Sequence, residues 1–527
     1  MFSIFRNFTR RGLLRQGGML AAAQALGGRT QTARAAALEI GPNLYRSIGV
    51  RPIINARGTF TIITGSQTLP EVKRAMDEAS RGYVQMDELM EGVGKRLAEL
   101  TGAEWGIVTA GCCAAITHCT AAAIAGFNPE RMQRLPDLRG LKNEVVIPQY
   151  SRNVYDHAIR MLGVKVVTVS GSENLESAFN ERTAMAYILG GPGDDGPLGT
   201  RVLAAAAKRH NVPILVDAAA EILTLKPNVH LERGATAVAY SGGKCIRGPQ
   251  AAGLLLGEKN WLQSAWANSA PHHAFGRSLK VGKEEVMGML AAVEMWTKRD
   301  HQAEWRQWEA WLDDIGAKVK KIDGVTAEIK QPGSELSNRT PRLIIQWDGA
   351  RRGITGQEVH QLLGDTEPRI ILASGNGSRP GNMASSVSVV PYMLIPGEEK
   401  IVADRLYAVL SNPPKFENPV QPTGQPVAVG GPWMAHLEFG RGSAVNGFNL
   451  EQDGDKLKGL YSTEFFGTFP LNGSVAANTV RFRASYPVEG QRLNWSFTGT
   501  VDGSKMSGTV NMGEYGETTW TAERNQH

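Results

Sequence analysis

An apolar run that ends in an acid, Ile214-Leu215-Val216-Asp217, is followed 27 residues later by a lysine in Ser241-Gly242-Gly243-Lys244. Each stretch reads as a short buried strand running into a loop, Pro213–Asp217 in the first case and Ala237–Tyr240 in the second. In an open α/β sheet, ligands sit beyond the carboxyl ends of the strands, so one sheet edge can present both side chains to one molecule. Alone, a strand-end aspartate is a turn or capping residue and a lone lysine is a solvated charge. Together they supply what a pyridine aldehyde cofactor requires. The amine forms a Schiff base, and the carboxylate keeps the ring nitrogen protonated so that the ring accepts electrons. A third segment, Ile107-Val108-Thr109-Ala110-Gly111-Cys112-Cys113-Ala114-Ala115, runs from a strand through small residues into an alanine-rich helix. Its alternative reading is tight packing of helix on sheet. Its chemical reading is a phosphate loop, in which the N–H groups of Ala110, Gly111, Cys112 and Cys113 approach an anion at a helix N-terminus. Ser241 adds a hydroxyl. The order phosphate loop, aspartate, Ser-x-x-Lys points to pyridoxal 5'-phosphate, with Lys244 and Asp217 as catalytic and cofactor-holding residues.

Further cations follow. Arg247, Arg277, Lys280 and Lys283 are candidates to hold a substrate carboxylate or the cofactor phosphate, with ordinary surface charge as the alternative for Arg277 and Lys283. His157 is a candidate ring-facing side chain from the Tyr150–His157 segment, its alternative a packed structural histidine. The His272-His273 pair could line the entrance, but no third metal ligand is apparent, so no metal site is assigned.

The elements that must place these residues alternate along the chain. Val145–Pro148, Val164–Val169 and Ala184–Leu189 read as short buried strands, with helical periodicity over Asn153–Leu162 and Leu198–His210. This βαβ alternation predicts a doubly wound, mainly parallel sheet in a large domain over residues 44–316, including an N-terminal arm. A long helix from about Lys283 to Gly316 is expected to lead out of it, into a small α+β domain over 317–410. Residues 411–431 carry Pro413, Pro414, Pro419, Pro422 and Pro426 and read as a linker. Beyond it, residues 432–527 alternate apolar and polar positions between turn residues. Asp453-Gly454 and Asp502-Gly503 head two similar segments, and the pattern predicts an all-antiparallel sandwich or small barrel.

Bulk properties exclude several classes. The chain has 527 residues, 42% of them apolar and 20% charged, the composition of a globular protein. The net charge of +6 is raised by an arginine-rich N-terminus, and no long basic run suggests nucleic acid as a partner. Four cysteines, with no Cys-x-x-Cys spacing, do not form a disulfide framework. Thr9-Arg10-Arg11-Gly12-Leu13-Leu14-Arg15, the mild apolar stretch Gly17–Gly28 and Ala33-Arg34-Ala35 resemble, in that order, a twin-arginine export signal over residues 1–37. The stretch is too short for a stable membrane anchor. The expected location is periplasmic or secreted, or cytoplasmic if the segment is an ordinary helix.

At this point the chain resembles the fold-type-I pyridoxal-phosphate enzymes, in the branch of bacterial selenocysteine synthase (L-seryl-tRNA(Sec) selenium transferase) and D-glucosaminate-6-phosphate ammonia lyase. The matching blocks are Arg51-Pro52-Ile53-Ile54-Asn55-Ala56-Arg57-Gly58-Thr59, Tyr83-Val84-Gln85-Met86-Asp87-Glu88-Leu89 and Tyr155-Asp156-His157-Ala158-Ile159-Arg160. They continue with Val216–Glu221, Ser241–Gln250 and Lys280–Glu285. The phosphate loop departs from the Thr-Ser-Gly-Ala-Ala-Ala usual in the lyase-like group by lacking a hydroxyl. The resemblance implies an aspartate-aminotransferase-like fold, a homodimer or larger assembly, and a lyase that eliminates ammonia or water from an amino acid or amino sugar acid. An aminotransferase or selenium-transferase-like activity is the second reading. A non-catalytic exported protein that binds through its β-domain is the third.

Overall fold

The computed structural model describes residues 38–191, 193–379, 381–418 and 422–524. The twin-arginine segment, residues 1–37, lies outside them. Contacts divide the chain into two compact units, Arg51–Asn418 and a second built on residues 419–527 together with the N-terminal residues.

Within Arg51–Asn418 the strands are β1 (Ile54–Ala56), β2 (Trp105–Thr109), β3 (Glu144–Pro148), β4 (Lys165–Val169), β5 (Thr183–Leu189), β6 (Ile214–Asp217), β7 (Ala237–Ser241) and β8 (Gly253–Gly257), followed by β9 (Thr326–Lys330), β10 (Arg342–Asp348), β11 (Ile370–Leu372), β12 (Ser374–Asn376) and β13 (Ala384–Val389). Seven form one sheet in the order β2-β8-β7-β6-β5-β3-β4. All its pairings are parallel except those of β8, which runs antiparallel to both β2 and β7. Strands β2, β3, β6 and β8 are buried at every position, as helices on both faces require. The alanine- and cysteine-rich helix Gly111–Ala125 is apolar around its whole circumference, so nearly all of it is buried. Because β2, β6 and β7 point the same way, Ala110, Asp217 and Ser241 emerge at one edge of the sheet.

Several local expectations change. The long helix is two helices, Lys283–Trp296 and His301–Val319. Asp300 ends the run, because its carboxylate accepts the Ala303 N–H (2.9 Å) as an N-cap and starts a new helix. The stretch Asn153–Leu162 holds only a 3-10 turn and the one-turn helix His157–Arg160. Asn153 caps that turn by accepting the Tyr155 N–H (2.8 Å). β4, read as buried, is the half-exposed rim of the sheet. The N-terminal arm contributes β1, which pairs in parallel with β11 and so joins the smaller layer. There a four-stranded antiparallel sheet, β12-β13-β10-β9, packs against the helices His301–Val319 and Glu398–Ser411 around Leu312, Ile315, Ile345, Val387 and Leu406.

The second unit contains β14 (Gly431–Glu438), β15 (Ser443–Asp453), β16 (Lys456–Thr463), β17 (Gly467–Ala476), β18 (Thr479–Val488), β19 (Gln491–Asp502), β20 (Lys505–Asn511) and β21 (Glu517–Arg524). They form a closed barrel in sequence order, every neighbour antiparallel, with β21 returning to β14. The two Asp-Gly segments make matching two-residue turns. Asp453 pairs with Lys456 and Asp502 with Lys505, and Gly454 and Gly503 each sit at φ 59°. An eight-stranded barrel is just narrow enough for side chains to fill it. Here the Phe448 ring lies 4.8 Å from Phe482 and 5.1 Å from Phe497, and also packs on Tyr461 and Trp520.

Among the described residues no helix is long and apolar enough to cross a membrane, and no cluster of His, Cys, Asp or Glu could hold a metal. All four cysteines are free thiols.

Candidate active site

Asp217 ends β6 and is fully buried. Three donors meet its carboxylate: the Tyr187 hydroxyl at 2.8 Å, the Ala219 N–H at 3.1 Å and the Cys112 thiol at 3.4 Å. The β5–β6 register explains the first. Leu189 pairs with Asp217, so Tyr187 lies two residues back on the same face. Burial lifts the Asp217 carboxyl above its ordinary value, and the three hydrogen bonds oppose that rise. Burial and the neighbouring carboxylate push the Tyr187 hydroxyl and the Cys112 thiol well up, so both remain donors.

Lys244 lies in the loop after β7. The loop is closed by Gly242 N–H to Ala252 C=O (2.8 Å), Gly248 N–H to Gly242 C=O (2.8 Å) and Arg247 N–H to Lys244 C=O (3.0 Å). A side chain at Gly242 would run into the Pro249 carbonyl, which is why small residues precede the lysine. The Lys244 amine donates to the Thr59 carbonyl at 2.7 Å. Thr59 is itself held: its N–H donates to the Tyr392 hydroxyl (3.1 Å), and the two hydroxyls lie 2.9 Å apart. Gly58, at φ 115°, allows this approach, since a Cβ there would sit 2.9 Å from the Tyr392 oxygen. Burial pushes the Lys244 amine below the ordinary lysine value, and the Asp217 charge nearby limits the fall.

The helix Gly111–Ala125 begins at this edge. Its N-cap, Ala110, has no side chain to accept a first-turn N–H, and Gly111 takes φ 84°. Cys112 is turned inward to Asp217, while Cys113 is exposed. Ser241 closes β7 in a half-buried position.

These residues fit pyridoxal phosphate. A carboxylate offers about four acceptor positions, and three on Asp217 are filled, which leaves one for a protonated ring nitrogen. The uncapped N–H groups of the first helical turn suit a phosphate. Lys244, half-buried with depressed basicity, suits carbonyl condensation.

The other candidates do not gather here. Arg277 and Lys280 are exposed, and Lys283 is paired with Glu284. His157 is exposed with its ring 3.1 Å from the Arg160 guanidinium. Its neighbour Asp156, fully buried, is clamped by Arg152 at 2.6 Å and Arg160 at 3.0 Å. Asn153 lies nearer the chemistry, 3.4 Å from the Tyr187 hydroxyl. His272 faces Asp87 at 3.3 Å and the Trp266 carbonyl at 3.1 Å. Arg247, at φ 59°, donates Nε to the Gln67 carbonyl (2.9 Å). Glu221 is bound by the buried His230 at 2.6 Å. Thr59, Tyr187 and Tyr392 are the functional neighbours that sequence reading missed. The Arg51–Thr59 block was visible as a motif, but nothing local tied its carbonyl to Lys244.

No family model matches the chain. Among curated proteins, D-glucosaminate-6-phosphate ammonia lyase of Salmonella typhimurium (strain 14028s / SGSC 2262) is 32% identical over 333 residues, 61% of this chain and 87% of the relative. The 5'-C-glycyluridine monooxygenase-decarboxylase of a Streptomyces species is 28% identical over 387 residues, 69% of this chain and 92% of that protein. The L-seryl-tRNA(Sec) selenium transferase of Proteus mirabilis (strain HI4320) is 24% identical over 286 residues, 48% of this chain and 58% of that protein. A solved structure of D-glucosaminate-6-phosphate ammonia-lyase superposes with a TM-score of 0.62 at 28% identity, covering 70% of this chain and 99% of that one. With the Lys244 and Asp217 geometry, these likenesses establish that the chain belongs to the fold-type-I pyridoxal-phosphate enzymes, in the family of D-glucosaminate-6-phosphate ammonia lyase.

Proposed function

We propose that this enzyme is a lyase that eliminates a β-substituent from an amino acid or amino sugar acid and releases ammonia, through a Schiff base with Lys244. The observation that carries this reading is the half-buried Lys244 amine at the same sheet edge as the buried Asp217 carboxylate. When bound, pyridoxal phosphate supplies an electron sink conjugated to the substrate nitrogen. The chain's own residues do the rest. The Lys244 amine, less basic than an ordinary lysine because it is buried, would be the base that takes the substrate α-proton. Thr59, fixed by Tyr392, accepts a hydrogen bond from that amine and keeps it aimed. Asp217, whose charged form the Tyr187, Ala219 and Cys112 hydrogen bonds favour, would hold the protonated ring nitrogen. The proton taken up by Lys244 would pass to the β-hydroxyl, which leaves as water, and one water taken up on hydrolysis would give a 2-oxo acid and ammonia.

Purified protein with pyridoxal phosphate is expected to show a visible Schiff-base band near ~420 nm that Lys244→Ala abolishes. A screen of amino acids and amino sugar acids should release ammonia and a 2-oxo acid without an added acceptor. A strict need for a 2-oxo acid acceptor would instead establish a transaminase. The same reading includes a homodimer or larger assembly, supported by the exposed apolar side chains of Phe60, Ile62, Tyr83 and Val84, and its mass in solution tests it. It also includes export by the twin-arginine route, supported by Arg10-Arg11 and the small-residue site at Ala33–Ala35. Changing both arginines to lysine should retain the protein in the cytoplasm.

A further inference from the structure

Beside the Lys244 loop lies a cavity of about 680 Å³, within the range of small-molecule sites. Neither Lys244, Asp217 nor the Ala110–Cys113 segment lines it. Its aromatic walls are Trp296, Trp305, Trp308, Trp311 and Tyr392. Three of these tryptophans fall three residues apart on the helix His301–Val319, so they share one face. Trp308 meets the Tyr392 ring edge-on at 6.2 Å and lies 5.9 Å from Trp305 with the two planes tilted by 52°, so the three rings form one continuous, angled aromatic wall.

The charges on the lining are unbalanced. Arg247, Arg299 and Arg339 stand against the single carboxylate of Glu304. Arg299 is spent: Nε and Nη2 each reach Glu304 at 2.8 Å, and Nη1 reaches the Cys245 carbonyl at 3.1 Å. Arg247 is not. Its Nε donates to the Gln67 carbonyl at 2.9 Å, and among the described residues Nη1 and Nη2 make no hydrogen bond. Burial, and then the nearby Arg299 charge, lower the Arg247 pKa, and the weaker pulls of Glu304 and Glu71 oppose that fall. A pair of parallel N–H donors on a cation is the geometry that takes a carboxylate in two hydrogen bonds.

We propose that this cleft binds an aromatic carboxylate, with its ring against the tryptophan wall and its carboxylate on Arg247, at a site separate from the Lys244 centre. Trp walls favour a flat apolar body, and the excess of positive charge excludes a cation.

The test is titration calorimetry of full-length holoenzyme with naphthalene-2-carboxylate and its neutral isostere, naphthalene-2-carboxamide. The carboxylate is expected to bind at one site, about tenfold or more tighter than the amide. Arg247→Asn should remove that preference and leave amide binding in place. Asparagine tolerates the left-handed backbone at this position, so the loop is retained. Trp308→Leu should weaken both ligands. Should Arg247→Asn also lose the amide, the wild-type preference and Trp308→Leu decide the matter. Equal affinity for the two ligands, no saturable binding, or a carboxylate preference surviving Arg247→Asn would overturn the proposal. So would displacement of the Lys244 visible band by the carboxylate, which would place it in the cofactor site.

Discussion

Tyr187→Phe deletes one oxygen from a side chain with no solvent exposure and leaves its packing intact. What it removes is the hydroxyl that donates at 2.8 Å to the Asp217 carboxylate. A hydrogen bond to a charged group contributes about 1.5–3 kcal/mol. Lost from the ionised form only, that energy corresponds to a rise of about 1–2 units in the Asp217 pKa, at 1.36 kcal/mol per unit. Burial already lifts this carboxyl, and Tyr187 is the largest influence opposing it. The sign is therefore upward. Since the protonated ring nitrogen pairs with the ionised carboxylate, the cofactor Kd should rise as pH falls through the Asp217 pKa. Absorbance titration of apoenzyme with pyridoxal phosphate over a series of pH values measures this. In Tyr187→Phe the loss of affinity should be centred about 1–2 units higher than in wild type. The cofactor's own protonations are common to both proteins and cancel in the comparison. Superimposed curves, or a shift to lower pH, would refute the claim that Tyr187 holds Asp217 ionised.

Three further outcomes are expected. Asp156→Asn leaves Arg152 and Arg160 without their shared buried counter-ion, and should cost about 3–5 kcal/mol, read as a fall in the denaturation midpoint of the apoenzyme. Phe448→Ala empties the centre of the barrel's ring cluster and should cost about 3–5 kcal/mol, with near-ultraviolet dichroism reporting the lost aromatic packing. For Lys244, the folded pKa lies below the unfolded one, so unfolding takes up a proton in the window between them, whose upper end is the unfolded value near ~10.4. The apoenzyme's stability should climb as pH rises through that window. Lys244→Met should therefore be more stable than wild-type apoenzyme at neutral pH, with the gap narrowing towards pH 10 in urea melts, and a widening gap would contradict the assignment.

The parts of the site that were legible in the sequence are those fixed by strand direction. Asp217 and Ser241 end neighbouring parallel strands, and Ala110 follows a strand pointing the same way, so their meeting follows from alternation alone. Contacts across the sheet face or between layers were not legible. Tyr187 reaches Asp217 through a register that periodicity does not reveal. Thr59 and Tyr392 are 333 residues apart, and their pairing depends on how the smaller layer closes over β1. Cys112 appeared as one of several small residues in a phosphate loop, and only the helix orientation shows that its thiol faces Asp217 while Cys113 faces out. The long-helix expectation failed at Asp300, where a single capping carboxylate outweighs continuous helical periodicity. The C-terminal hairpins were readable from their Asp-Gly pairs, whereas closure of β21 on β14 is a long-range pairing with no local mark.

That closure governs how the second unit behaves in a crowded solution. Every strand from β14 to β21 has a partner on both sides, so no row of free N–H and C=O groups is offered to another chain. Strand exchange and edge-to-edge aggregation have no template there. Self-association of this unit must run through side chains, and among its exposed apolar residues Phe465 and Phe466 stand side by side on the β16–β17 turn. Replacing those two residues, without touching the backbone, removes the adjacent apolar pair from that surface and should raise its solubility.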